Sequence, residues 1–285
     1  MKRVAAVAAL LASAPVQATP CAPELRVMTY NIRLDTPADG ENRWEKRRPL
    51  FLSQLDLLQP AILGLQEVVP GQLSDLEAAL PHHQRIGAGR DGAGQGEASP
   101  LFVSRRLFTV RASGMFWLSS TPQVPSLGWD ASYRRVATWA HLRRRADGAR
   151  VLAINTHWDH LGKQARLESG KMLASWIAAH RKRGEAVVLL GDFNAELTES
   201  SMQALLGSLA DARTAAGSKA AGTTVTFNGY DPSPRSGQTI DHVLVAPGTR
   251  VLRYHALAEQ FDGRLASDHF PVIADLALPG VRACG

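Results

Sequence analysis

The chain has 285 residues, 45% of them hydrophobic and 20% charged, with 32 Lys and Arg against 26 Asp and Glu for a formal net charge of +6. That mixture is an ordinary globular one and excludes a collagen, a coiled coil, a disulfide-dense mini-protein and a multi-span membrane protein. Two cysteines are too few to staple a fold by themselves, and the length allows one large domain or two small ones.

Residues 1–18 (MKRVAAVAALLASAPVQA) carry Lys2 and Arg3, then an apolar run from Val4 to Ala14, then small residues ahead of Thr19. This is the pattern of a cleaved export signal, and the run is too short for a membrane span. Its removal lowers the formal net charge from +6 to +4, a balance that permits a phosphate-bearing substrate without demanding one. The mature protein is expected to be periplasmic or secreted, with no membrane insertion. In an oxidising compartment Cys21 and Cys284 are expected to form a disulfide across the two ends of the domain.

Strands and helices then alternate. Leu25–Tyr30 reads as a strand, residues 44–58 as a helix with a basic face, and residues 61–65 as a short buried strand. A helix is expected over residues 72–80, then a Gly-rich loop over 87–99. Strands follow at 101–103, 107–118, 136–142 and 151–156. Residues 165–180 have helical spacing, 186–190 form a continuous apolar strand, and 200–209 a short helix. The last strands are 240–245, 251–257 and 270–276. Arg143-Arg144-Arg145 sits beside Asp147-Gly148, a hairpin signal, and reads as a solvated turn face. No linker or repeat interrupts residues 19–285, which read as one domain.

Polar residues cluster at the ends of these strands: Asn31, Gln66-Glu67, His157 to His160, Asp192 to Asn194, Asp241, and Ser267 to His269. One such residue is usually a turn or cap. Six clusters of only acids, amides and imidazoles, brought to one sheet edge if the later strands run antiparallel, read as an active site. Oxygen donors from Asn31, Glu67, Asp192, Asn194 and Asp268 suit a hard cation such as Mg²⁺ or Mn²⁺. There is no HExxH or CxxC pattern for zinc. Oxygen ligands with two imidazoles fit metal-assisted hydrolysis of a phosphate ester. Residues 87–92 match GxGxxG, but Gly94, Gly96 and Pro100 preclude the helix a dinucleotide site needs.

The segments MTYNIR (28–33), LQEV (65–68), NTHWDH (155–160), GDFN (191–194), TIDHVLV (239–245) and SDHFPVIADL (267–276) together resemble the endonuclease/exonuclease/phosphatase superfamily. DTPADGENRW (35–44), GRDGAGQGEASPLF (89–102) and FWLSSTP (116–122) are similar to its bacterial metal-dependent hydrolase branch.

The resemblance implies a four-layer α/β sandwich of two packed mixed sheets flanked by helices, with the first and last strands paired so that Leu25 and Leu276 lie close. It implies Glu67 as principal metal ligand, helped by Asn31 and Asp268, and Asp192 as the group that orients or activates water. It implies that Asn194 holds a phosphoryl oxygen, that His269 paired with Asp241 acts as base or phosphate ligand, and that His157 contacts the phosphate or leaving group. Asp159, His160 and Arg166 match the branch, and together with Glu97 and Arg135 are assigned to substrate contact. His242 and Val103 stand where aromatics are usual and are read as packing residues.

The resulting expectation is an exported, monomeric, Mg²⁺- or Mn²⁺-dependent phosphodiesterase or phosphomonoesterase acting on a modest-sized phosphorylated substrate. A secreted nuclease ranks below it because the chain lacks a basic stripe with interleaved aromatics. A binding module that lost catalysis would lack a site residue, and the set here is complete. Substrate choice is assigned to the loops at 35–44, 87–99, 122–134 and 226–238.

Overall fold

Strand runs such as Ala-Val-Val-Leu-Leu carry no polar alternation, so both of their faces need apolar cover. The computed structural model, which describes residues 24–279, supplies that cover in layers. The expected export segment, Cys21 and Cys284 lie outside the described residues. In chain order the strands are β1 (Leu25–Asn31), β2 (Ile62–Gln66), β3 (His83–Ile86), β4 (Leu101–Ser104), β5 (Phe108–Trp117), β6 (Val136–Arg144) and β7 (Arg150–His157). They continue as β8 (Glu185–Asp192), β9 (Ala210–Asp211), β10 (Ala220–Gly222), β11 (Asp241–Val245), β12 (Arg250–Ala256) and β13 (Val272–Ala277). The α-helices are α1 (Trp44–Leu58), α2 (Pro70–Ala79), α3 (Lys163–His180), α4 (Ser200–Leu206) and α5 (Ala212–Ala216).

One sheet has the order β10-β12-β13-β1-β2-β4-β3 and the other β5-β6-β7-β8-β11-β9. Both are mixed: β1 and β2 are parallel, as are β7 and β8, whereas β13 runs antiparallel to β1 and β11 to β8. Successive side chains on a strand face opposite ways, and the core obeys this. Val27, Ile62, Val188 and Ala274 point between the sheets. Met28, Leu63 and Ile273 join Phe51 and Leu55 of α1, while Val187 and Leu189 join Leu173 of α3 and Met202 of α4. The result is the four-layer sandwich expected of these segments, and Leu25 pairs with Leu276 in register.

The sheets meet closely at Gly64 on β2. A Cβ there would lie 2.6 Å from Asn155 Oδ1, so the absent side chain makes room for Asn155 to cross from the other sheet. Asn155 receives Gln66 Nε2 at 2.7 Å and donates to the carbonyls of Leu65 (2.8 Å) and Pro100 (3.0 Å). These buried bonds tie the end of β2 to β7 beneath the strand-end clusters. His242 packs in the core as expected, with Nε2 3.0 Å from the Ala195 carbonyl and its ring against Phe193.

The arginine hairpin departs from expectation. Arg143 and Arg145 are exposed, but Arg144 is buried and pairs with Asp147 through two nitrogens at 2.9 and 2.5 Å, closing the β6–β7 turn. Strands β3, β9, β10 and helix α5 were not legible either. The three strands are short and exist through pairing with residues distant in sequence, and α5 is a five-residue helix started by the Asp211 cap.

Candidate active site

Parallel β1, β2, β7 and β8 end where antiparallel β11 and β13 begin, and this topology gathers all six clusters at one edge. Asp241 is the register partner of Asp192, and His157 that of Asp192 on its other side. Three residues leave these strand ends with left-handed backbones that non-glycine residues rarely adopt: Arg33 (φ 56°), Glu67 (φ 62°) and Asn194 (φ 47°). Strain of this kind persists where surrounding structure imposes it, and it clusters at functional sites. Here Arg47 of α1 imposes part of it by donating to the carbonyls of Ile32, Arg33 and Ala266.

The clusters surround a cavity of about 480 Å³ lined on its chemical side by Glu67, Asp268, His157, Asp192, Asn194 and His269. Glu67 accepts the Leu34 amide through Oε2 (3.1 Å) and the Asn31 amide through Oε1 (3.0 Å). Asn31 also donates to Asp192 Oδ2 at 2.9 Å, and its own Oδ1 accepts the Arg33 N–H at 3.0 Å. Turning the amide around would set its oxygen against two carboxylates. In this arrangement Asn31 orients Glu67 and Asp192 from behind.

Asp268 lies beside Glu67, with the Arg33 guanidinium 3.8 Å from one carboxylate and 3.9 Å from the other. Burial pushes the Asp268 carboxyl up, and the charge of Glu67 adds to that. Two nearly buried carboxylates crowded in this way form an oxygen-only donor set that a hard divalent cation would relieve, so these residues fit Mg²⁺ or Mn²⁺.

Asp192, Asp241 and His269 also bring ligand-type atoms within 4.8 Å of one another. Their arrangement is that of an acid–base relay. His269 Nδ1 lies 2.9 Å from Asp241 Oδ2 and Nε2 3.8 Å from Asp192 Oδ2. Burial opposes the imidazolium, but Asp241 and then Asp192 outweigh it and raise the His269 pKa to about 10. Asp192 is pushed up to about 7, by burial first and then by the charge of Asp241, which is where a general base operates best near neutral pH. His157 behaves oppositely: burial, then Arg135 and Arg90, holds it well below its ordinary value. Neutral, its Nε2 accepts the Asn194 side-chain amide at 3.1 Å, so its 3.5 Å approach to Asp192 is not an ion pair at neutral pH.

Of the residues assigned to substrate contact, Glu97, Arg135 and His160 line the cavity. Asp159 and Arg166 do not. The Asp159 carboxylate is consumed by the amides of Ser132, Tyr133, Leu161 and Gly162 at 2.8–3.2 Å and by Arg135 Nε at 3.3 Å. Arg166 donates to the Asp159 carbonyl at 3.0 Å. Both hold the wall from outside. Sequence reasoning missed Arg33, Arg90, Tyr133, Phe227 and Gln238 as lining residues. Arg33 sits inside the NIR segment and Arg90 inside the set-aside glycine run; Tyr133, Phe227 and Gln238 lie in the loops 122–134 and 226–238 that are assigned to substrate choice, without being singled out there.

The chain matches the Endonuclease/Exonuclease/phosphatase family over residues 28–269. A mannosyl-6-phosphatase of Bacteroides thetaiotaomicron is similar in structure, with 35% identity, a TM-score of 0.83 and coverage of 89% of this chain and 100% of that one. An endonuclease/exonuclease/phosphatase of Bacteroides vulgatus gives 34% identity, a TM-score of 0.85 and coverage of 90% and 100%. An uncharacterised protein of Acanthamoeba polyphaga mimivirus is 24% identical over 182 residues, 60% of this chain and 68% of the relative. The chain belongs to the endonuclease/exonuclease/phosphatase family, whose members hydrolyse phosphoesters.

Proposed function

We propose that this member of the family is an exported, Mg²⁺- or Mn²⁺-dependent hydrolase of small phosphate esters. The observation that carries the reading is the pairing, in one cavity, of a crowded carboxylate couple (Glu67 and Asp268) with a His269–Asp241 relay facing Asp192. The similarity to a mannosyl-6-phosphatase supports a small phosphorylated substrate. Glu67 and Asp268 would hold the cation, which neutralises charge on the phosphoryl oxygens when bound.

The chain's own residues perform the remaining chemistry. Asp192, with its raised pKa, takes the proton from the attacking water. His269, kept protonated by Asp241, donates to a phosphoryl oxygen and stabilises the charge that grows in the transition state. The Asn194 amide spends its two hydrogens on the Trp158 carbonyl at 3.0 Å and on His157 Nε2 at 3.1 Å, and so holds the His157 ring in place. Asn31 keeps Glu67 and Asp192 in mutual register. Among the described residues no helix is long and apolar enough to cross a membrane.

The test is a phosphoester panel with purified protein in Mg²⁺, Mn²⁺ or chelator. Metal-dependent release of phosphate or alcohol is expected, and silence across nucleotides, sugar phosphates, phospholipids and plasmid DNA would refute the reading. Export rests on residues 1–18. Expression with its own leader and N-terminal sequencing of the product should give a chain beginning after residue 18, and an intact Met1 would refute it.

A further inference from the structure

We infer that Arg135 makes this site selective for phosphomonoesters over phosphodiesters, an inference that rests on the phosphoester reading above. Arg135 stands immediately before β6, on the cavity wall shared by His157, His160 and Tyr133. Its guanidinium is almost fully buried and held at two of its three nitrogens: Nε lies 3.3 Å from Asp159 Oδ2 and Nη2 lies 3.2 Å from His160 Nδ1. The third, Nη1, is buried and has no hydrogen-bond partner. Buried donors are almost always satisfied, and an unsatisfied one in a native fold calls for an explanation. The planar fork of a guanidinium matches the oxygens of a phosphate, and a ligand oxygen would fill the empty position.

The neighbouring cation does not compete for that role. Arg90 is neutralised by Glu97 through two bonds of 2.6 and 3.0 Å. The guanidinium carbons of Arg90 and Arg135 lie 4.9 and 5.8 Å from the Tyr133 ring centroid, so the ring packs with both cations. Tyr133 is fixed in turn by the hydrogen bond that its backbone N–H donates to Asp159 and by stacking on His160. The wall is thus a prearranged unit that ends in one buried guanidinium nitrogen, Nη1, with no hydrogen-bond partner.

Charge arithmetic identifies the ligand. A phosphomonoester near neutral pH carries close to two negative charges on three terminal oxygens. A diester carries one charge on two, with a carbon chain in place of the third. Glu67 and Asp268 would hold the cation, and His269 offers one N–H; between them these groups would account for the charge and the two terminal oxygens that a diester also carries. The additional oxygen and the additional charge of a monoester match the Nη1 fork, whereas the second chain of a diester would meet a desolvated guanidinium that it cannot pair. The remaining lining groups, Glu97, Arg90 and Gln238, offer donors and acceptors suited to a hydroxylated leaving group such as a sugar.

The experiment compares p-nitrophenyl phosphate with bis-p-nitrophenyl phosphate for the wild type, Arg135→Gln and Arg135→Lys, with saturating Mg²⁺ or Mn²⁺. The wild type should favour the monoester, and Arg135→Gln should lower the monoester-to-diester ratio of kcat/KM by about 10- to 100-fold. Arg135→Lys, which keeps the charge without the fork, should recover part of the loss. A wild type that prefers the diester, or a Gln variant in which both substrates fall by the same factor, would overturn the inference and leave the phosphoester reading intact. If the wild type hydrolyses neither substrate, both fail. Should the variants not fold, competitive inhibition of the wild type decides: inorganic phosphate should inhibit at least about tenfold more strongly than dimethyl phosphate, and equal inhibition constants would overturn the inference.

Discussion

The two sheets contribute to the cavity in different ways. The seven-stranded sheet brings Asn31 and Glu67 from β1 and β2, and Asp268 and His269 from the approach to β13. Its carboxylates are crowded, and two of the residues beside them, Arg33 and Glu67, have left-handed backbones. The six-stranded sheet brings His157, Asp192, Asn194 and Asp241, where the acids face an imidazole and the amide faces the other ring. In the function proposed above, one half would attract a cation and the other would move a proton. Neither half is complete, because His269 crosses to Asp241 and Asn31 to Asp192. The bonds that register one sheet against the other are therefore part of the site.

Substitutions can take this division apart, beginning with the cation half. Glu67→Ala should lower kcat/KM by at least about 10³-fold, with the loss of Mg²⁺ binding seen in calorimetry. Activity or metal affinity unchanged in this variant would dissolve the cation half. In the proton half, His269→Gln should cost about 10²–10³-fold while metal affinity stays within a few-fold, and a parallel loss of metal binding would merge the two halves.

The same histidine gives a pH signature in the metal-free protein. Its folded pKa, about 10, lies above the 6.5 of the unfolded chain. Its stabilising contribution is therefore fully present below about pH 6.5 and is lost as pH rises through about 10. The difference in Tm between wild type and His269→Gln in chelator should accordingly shrink from pH 6 to pH 10. A constant difference would place the imidazolium elsewhere.

A smaller effect is expected where the halves meet. Asn155→Ala removes the crossing side chain and strands the Gln66 amide and two carbonyls. It should cost about 1–3 kcal/mol of stability in denaturant titration, with activity falling less than in either half-site variant. The smallest belongs to the far edge, where exposed Arg143→Ala should change stability by no more than about 0.5 kcal/mol and leave turnover alone.

How much of this was legible depended on how local its cause was. The strand-end clusters could be read because a strand's last residue and its turn chemistry are adjacent in sequence, and the order of strands then fixes the edge they reach. Asn31, Asp192 and Asp241 were found this way without any knowledge of contacts. Side-chain partners have the opposite character. Asp159 is assigned to substrate contact from sequence, and four amides from two loops take up its carboxylate. Asn31 turns its nitrogen toward the carboxylates, a direction that the sequence does not encode. Tyr133, Phe227 and Gln238 lie on loops that are assigned to substrate choice, but those loops have no periodicity from which to pick the residues that reach the cavity. Side-chain direction and loop placement depend on residues far away, which local patterns do not encode.

The pairing of Leu25 with Leu276 has a consequence for the order of the chain. These residues lie at the ends of β1 and β13 remote from the cavity, as does the Asp147-Gly148 turn between β6 and β7. Every side chain proposed for catalysis hangs from the other ends of the strands. A circular permutant that joins residue 277 to residue 25 through a short linker and opens at Asp147-Gly148 would cut and reseal only the far edge. Such rearrangements are tolerated at exposed turns and neighbouring ends. What the active site requires is the stacking of two sheets, and the sequence of their covalent connection is free to change.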